Sequence, residues 1–338
     1  MVRRTKYKFD MKKVAVIGAG PSGITAIKNF KDQGFEVIAF ERCTGVGGNW
    51  RYNDPSGHSS VFETTHIISS KYTSYYEDFP LPENAADYPS HKELLEYFQA
   101  YTDHFDLDKN IKFNTEVVHC SQDNSHKWKV KWRELNDTQV LEEEFDALVV
   151  CNGHHHEPRY PNYPGKFSGE YLHSHEYKKA APFADKKVLV IGGGNSACDV
   201  AVETARISKT TALSWRRGYY LIPKFMFGLT SDIFALKARW IPRFLRLPFM
   251  KFMLELIQGK NEDIGLPKVT NHILATHPTV NSDLYNAVRH GKVKPKCDIE
   301  RFDGKTVYFQ DGTHEKFDAV IACTGYKIKH NFFDKEFI

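Results

Sequence analysis

VLVIGGGNSACDV, residues 188–200, reads as a buried strand, a glycine-rich turn and the start of a helix. Much the same thing already stands at residues 14–26, VAVIGAGPSGITA. An apolar strand running into G-x-G-x-x-G is an anion cradle. The first glycine permits a tight turn, the second lets a pyrophosphate approach the backbone, and the third lets helix and strand pack closely. Two such cradles predict an α/β fold with two Rossmann-like dinucleotide-binding domains.

In the first copy the glycines are Gly18, Gly20 and Gly23, and Pro21 suits an early helical position where its missing N–H costs little. The next strand, FEVIAFE, ends at Glu41, 23 residues after Gly18, where an acid can accept from a ribose 2′-hydroxyl. The second copy places Gly192, Gly194 and Ala197 in the same register, with Asn195 and Ser196 between. Its next strand, TTALSW, leads into Arg216 and Arg217, and Arg216, 24 residues after Gly192, falls where the first copy has Glu41. Arginine there can hold a ribose 2′-phosphate, which favours NADP over NAD.

A second repeat supports a duplication. FDALVVCNG (145–153) recurs as FDAVIACTG (317–325), and each follows a stretch with the alternation or turn signals of a meander. The expected division is a discontinuous domain for a dinucleotide with an unphosphorylated ribose, 1–160 with 318–338, and an inserted NADPH-binding domain, 161–317. SHKELLEYFQAYTDHF (90–105) reads as a helix with a Ser90/Glu93 capping box and a buried stripe of Leu94, Phe98, Tyr101 and Phe105.

With 41% hydrophobic and 26% charged residues over 338 positions, the chain suits a soluble globular protein with a real core. A net charge of +4, with carboxylates among the bases, gives no nucleic-acid footprint. The six cysteines include no CxxC pair, which argues for free thiols and against a zinc site. His154, His155 and His156 are adjacent, but consecutive loop residues cannot converge on one ion, so no metal is expected. The opening MVRRTKYKFD is charged and no run of 18 apolar residues exists, so the cytoplasm is the expected location. Residues 222–260 mix aromatics with Lys237, Arg239, Arg243, Arg246 and Lys251. They read as a lid over the cofactors or as a peripheral membrane contact, with Pro242 and Pro248 interrupting any long helix.

FSGEYLHSHEYKK (167–179) fits F-x-G-x-x-x-H-x-x-x-Y/F-K through Phe167, Gly169, His173, Tyr177 and Lys178. ERCTGVGGNW (41–50), YEDFPLP (76–82), NGHHHEPRYP (152–161) and CTGY (323–326) stand in matching order. Over residues 11–330 the chain resembles the flavin-containing monooxygenases, within the class B flavoprotein monooxygenases, without their usual C-terminal segment. The resemblance implies FAD on Gly18, Gly20, Gly23, Glu41, Asn49 and Trp50, with Ser69 facing the flavin. It implies NADPH on Gly192, Gly194, Ser196, Asp199, Arg216 and Arg217. His173 is expected as a hydrogen-bonding linker residue, and no side chain is given a catalytic role, because the hard chemistry is the flavin's.

The implied activity is NADPH- and dioxygen-dependent oxygenation of an amine nitrogen or a sulfide sulfur through a flavin C4a-hydroperoxide. Baeyer–Villiger oxygenation of ketones and a non-oxygenating NADPH–flavin reductase remain as alternatives. A homo-oligomer is the expected assembly. Ile68 is a departure: it stands three residues before Lys71, where animal relatives carry asparagine, and implies uncoupled turnover.

Overall fold

Each glycine turn sits at the end of the central strand of its own parallel sheet. The structure, a computed structural model, describes residues 13–273 and 278–337. Contacts divide the chain into two units: one from residues up to Val61, His91–Glu157 and Ile328 onward, the other from Phe62–Ser90 and Pro158–Lys327.

In the first unit β1 (Lys13–Ile17) leads into α1 (Pro21–Asp32) and β2 (Glu36–Phe40), with α2 at His91–His104. After β3 (Ile111–Lys112) come β4 (Thr115–Gln122), β5 (Trp128–Glu134) and β6 (Leu141–Phe145), then β7 (Ala147–Val150). The sheet order is β3-β2-β1-β7, and β4-β5-β6 form the expected antiparallel meander. On α2 the stripe of Leu94, Phe98 and Tyr101 is buried, while Phe105 lies past the helix end and is half-buried. The last described residues return to this unit: Phe332 accepts from the Cys120 N–H at 2.7 Å and packs with Val130 and Trp132.

The second unit repeats the plan. It holds β8 (Glu170–His173), β9 (Lys187–Ile191), α3 (Asn195–Thr204) and β10 (Thr210–Ser214). The insertion carries β11 (Leu221–Ile222), the hairpin β12 (Phe225–Met226) and β13 (Leu229–Thr230), α4 (Ser231–Lys237), α5 (Arg243–Gln258) and β14 (Thr279–Val280). Then follow α6 (Leu284–Arg289), β15 (Val293–Lys296), a meander of β16 (Ile299–Asp303), β17 (Thr306–Phe309) and β18 (His314–Lys316), and β19 (Ala319–Ala322). The sheet order is β15-β10-β9-β19-β8.

The duplication extends to single hydrogen bonds. Asp146 accepts from the Lys13 N–H at 2.8 Å, and Asp318 from the Lys187 N–H at 3.0 Å. The Cys151 N–H donates to Ile17 O, and the Cys323 N–H to Ile191 O, each at 2.8 Å.

The expected domain limits need correction. Residues 318–327 belong to the second unit, because β19 pairs in parallel with β9 and β8; the return to the first unit begins at Ile328. Residues 62–90 also belong to the second unit. Asp232 there accepts from the Ser70 N–H at 2.7 Å and from Thr73 Oγ1 at 2.6 Å, and the Glu63 N–H donates to Lys178 O. Pro248 does not interrupt α5. It is the sixth residue of a 16-residue helix, where it deletes a single i→i−4 bond, and Met250 and Leu254 are buried against Ile222 and Met226.

Asp199 on α3 is the cost of this packing. Burial pushes its carboxyl from 3.8 up to about 6, although Lys224 lies near and Asn281 Nδ2 donates to it at 2.7 Å; Asp283 and Glu203 add repulsion. An acid with a raised folded-state pKa is bound to its proton longer in the folded chain than in the unfolded one. Folding stability should therefore fall as pH rises between 3.8 and about 6. Denaturant titrations of Asp199→Asn should show a flatter profile across that window; an unchanged slope would refute the assignment.

Candidate dinucleotide sites

In the first cradle the turn is set by the backbone. The Gly18 N–H donates to Phe40 O at 2.8 Å, its φ is 97°, and a Cβ there would lie 2.6 Å from Cys151 O. Gly18 is therefore demanded by the fold. Gly20 is different. Its φ of −70° is open to any residue, and an added Cβ would meet only Gly48 at ordinary contact distances, the nearest 3.6 Å away. Neither strain nor a neighbour requires glycine at 20, so the bare backbone there leaves space for a ligand at the N-terminus of α1.

Glu41 closes this site from the end of β2. It is buried, its Oε2 accepts from the Ala19 N–H at 2.5 Å and its Oε1 from the Cys43 N–H at 2.7 Å. A carboxylate has about four lone-pair positions, so each oxygen keeps one for a ribose hydroxyl. The following loop folds back on the turn through the Gly47 N–H, which donates to Ala19 O at 3.1 Å. Asn49 Oδ1 accepts from the Ser60 N–H and Ser60 Oγ, both at 2.8 Å, and Trp50 beside it is half-buried.

The second cradle follows the same rules. Gly192 has φ 136°, its N–H donates to Ser214 O at 3.0 Å, and a Cβ there would collide with Cys323 O. Gly194 has φ −87°, and an added Cβ would meet nothing within 4 Å. Here too the fold leaves the second glycine free, and the open space lies at the start of α3. Asn195 accepts from the Val280 N–H at 2.7 Å and donates to Pro278 O at 3.1 Å, fixing β14 beside the turn, and Ser196 is exposed next to it.

The strand register corrects the expected place of Arg216. Ile17 pairs with Phe40, and Ile191 with Ser214, so the residue that corresponds to Glu41 is Trp215. Arg216 and Arg217 stand one and two positions further, both exposed. Counting from the glycines gave 24 instead of 23; the paired strands fix the frame. Trp215 is the residue that the register sets opposite Glu41, and counting from the glycines passed over it.

Ser69, Ile68 and His173 fall in the second unit, His58 and His156 in the first. Ser69 Oγ accepts from Ser74 Oγ at 2.8 Å, and Ile68 packs against the cluster of Ile222, Met226, Met250 and Leu254. Its apolar side chain thus has a packing reason. His173 is fully buried, its Nδ1 accepts from the His175 N–H at 3.1 Å, and burial pushes it down to about 4, which keeps the imidazole neutral. His58 stacks on His156 with ring centroids 5.1 Å apart. Among the described residues no group of three or more His, Cys, Asp or Glu converges as a metal site.

The family model for flavin-binding monooxygenase-like proteins matches residues 11–338. The chain is 33% identical over 337 residues to a 4-hydroxybenzoate brominase (decarboxylating) of Marinomonas mediterranea, covering 95% of this chain and 64% of that protein. It is 34% identical over 346 residues to dimethylaniline monooxygenase (N-oxide-forming) 2 of Oryctolagus cuniculus, covering 97% and 64%. The chain therefore spans about 64% of the length of these curated relatives. Its fold matches the S-allyl-L-cysteine S-oxygenase of Allium sativum with a TM-score of 0.69 at 24% identity, over 96% of this chain and 65% of that one. Two glycine cradles on two parallel sheets, read with these matches, place the chain in the flavin-binding monooxygenase-like family.

Proposed function

We propose that the first cradle holds FAD, the second holds NADPH, and the chain serves an oxygenation of soft nucleophiles. The observation that carries this reading is the pair Gly20 and Gly194, glycine at two positions where neither the backbone nor a neighbour demands it. Bound flavin would supply the redox chemistry: two electrons from NADPH and one dioxygen yield an oxygenated product and one water. The chain's own part is binding and orientation. Backbone N–H groups at the starts of α1 and α3 would take the two pyrophosphates. Glu41 would take the flavin-side ribose, and Arg216 and Arg217 the 2′-phosphate. Asn49, Trp50 and Ser69 are assigned to the flavin by position in the family pattern, and Ser196 and Asp199 to NADPH in the same way.

Amine nitrogen and sulfide sulfur are the substrate atoms of this reading. The N-oxide-forming relative, 34% identical to this chain, supports the amine nitrogen.

Peripheral membrane contact belongs to the same proposal. At 100° per residue, Phe244, Leu245, Phe249, Phe252 and Leu256 on α5 span an arc of about 140°. All are exposed, as is Trp240 just before the helix at 80%. Arg246 and Lys251 flank this arc on its two sides, and Met250 and Leu254 lie opposite, buried. An apolar stripe edged by cations on an anchored helix suits an anionic lipid surface. At 16 residues α5 is too short to span, and no helix among the described residues is long and apolar enough to cross a membrane.

Three measurements check these assignments. Incubation of the flavin-loaded chain with a thioether, NADPH and oxygen should give sulfoxide, with NADPH preferred over NADH at least tenfold, since hydrogen bonds to charged groups contribute about 1.5–3 kcal/mol each. Hydrogen peroxide should exceed product, because Ile68 offers no polar atom. Lactone from a cyclic ketone without sulfoxide would favour the Baeyer–Villiger alternative, and peroxide alone the reductase. Flavin released by denaturation should be FAD, retained less well by Glu41→Ala; FMN would contradict the first cradle's assignment. Vesicles containing phosphatidylserine should sediment the chain, and Phe252→Glu with Leu256→Glu should abolish this. Concentration-dependent dimers without vesicle binding would assign the face to a homo-oligomer instead.

A further inference from the structure

The two cradles differ most at the residue just after their second strand. In the first unit this is Glu41, whose carboxylate accepts from the Ala19 N–H and the Cys43 N–H. In the second unit it is Trp215. Its indole is 1% exposed and stacks on Tyr219 with centroids 6.0 Å apart and planes 18° apart. The pyrrole edge faces the glycine turn: a Cβ on Gly193, the counterpart of Ala19, would lie 1.3 Å from Nε1 and 2.1 Å from Cδ1. Nε1–H is buried and finds no acceptor among the described residues.

These facts have opposite consequences for the two nucleotides. A carboxylate accepts from ribose hydroxyls and repels a phosphate; an indole N–H donates only. A buried donor without an acceptor is destabilising, a cost removed when a ligand oxygen completes it. The turn tolerates the ring because residue 193 has no side chain, so Gly193 and Trp215 form one device.

We propose that Trp215 is a specificity-determining residue of the second cradle: its ring replaces the hydroxyl-reading carboxylate, and its Nε1–H serves an oxygen of a 2′-phosphorylated adenosine ribose. This rests on the reading of that cradle as the NADPH site. Arg216 and Arg217 supply charge from the exposed side, and Trp215 supplies a directional donor from the buried side. Together they read phosphate and give a plain 2′-hydroxyl no acceptor.

The test is binding, without turnover. Calorimetry on the flavin-loaded chain should show NADP+ and 2′,5′-ADP binding more tightly than NAD+ and 5′-ADP. Trp215→Phe keeps the ring and loses the donor; its Kd for NADP+ should rise about tenfold, with that for NAD+ unmoved. Trp215→Glu restores the first cradle's chemistry and should gain NAD+ affinity while losing NADP+. In the unmodified chain, the ¹⁵N-indole resonance missing from Trp215→Phe should shift with 2′,5′-ADP and stay in place with 5′-ADP, a readout independent of how either variant folds. An unmoved resonance, with NADP+ bound equally by Trp215→Phe and the unmodified chain, would overturn the role of Trp215. Arg216→Ala would still weaken NADP+ in that case. If the unmodified chain bound neither dinucleotide, the NADPH reading would fall and the role of Trp215 with it.

Discussion

The carbonyl oxygen of one residue occupies the space of a missing side chain in each half of this protein. Cys151 O lies 2.6 Å from where a Cβ on Gly18 would go, and Cys323 O 2.3 Å from where one on Gly192 would go. Any larger residue would push the closing strand off the central one and break the Cys151–Ile17 and Cys323–Ile191 hydrogen bonds. The tight turn aims the start of α1 or α3 at the ligand, and the paired strands fix which residue follows the second strand. Site geometry in both units depends on this one close approach.

From that shared frame the halves diverge by a few side chains. A carboxylate at 41 and an indole at 215 occupy corresponding positions; one cation, Arg42, follows the first and a pair, Arg216 and Arg217, follows the second. A duplicated backbone thus carries different side chains at corresponding positions, and the proposed binding of a different dinucleotide in each cradle rests on that difference. The insertion adds its own apolar cluster around Ile222, Met226, Met250 and Leu254, and residues 62–90 dock on it through Asp232.

Much of this was legible in the sequence because glycine spacing and continuous apolar runs have few structural meanings. Both cradles, both closing strands and both meanders stand where the spacing predicts. Three features did not read through. The docking of residues 62–90 depends on side-chain contacts between segments about 160 residues apart, such as Ser70 with Asp232, which no local pattern records. The limit set at 318 ran against the duplication: strand 319–322 pairs within the second sheet, the place that its resemblance to the first closing strand implies. Trp215 went unseen because charged neighbours at 216 and 217 offered the more familiar chemistry, and only the pairing of Ile191 with Ser214 fixes the frame. The continuity of α5 through Pro248 was misjudged for a simpler reason: a proline near a helix start deletes only one bond.

Gly194 allows the central claim to be tested with little disturbance of the fold, since a side chain there meets nothing within 4 Å. Gly194→Asp should fold and retain FAD, yet its carboxylate would stand where the second pyrophosphate must lie. The direct measurement is anaerobic bleaching of the bound flavin as NADPH is added. The account predicts stoichiometric bleaching of the unmodified chain and little bleaching of Gly194→Asp at the same NADPH concentrations, with equal bleaching of both by dithionite. Equal bleaching of both by NADPH would contradict the assignment of the second cradle.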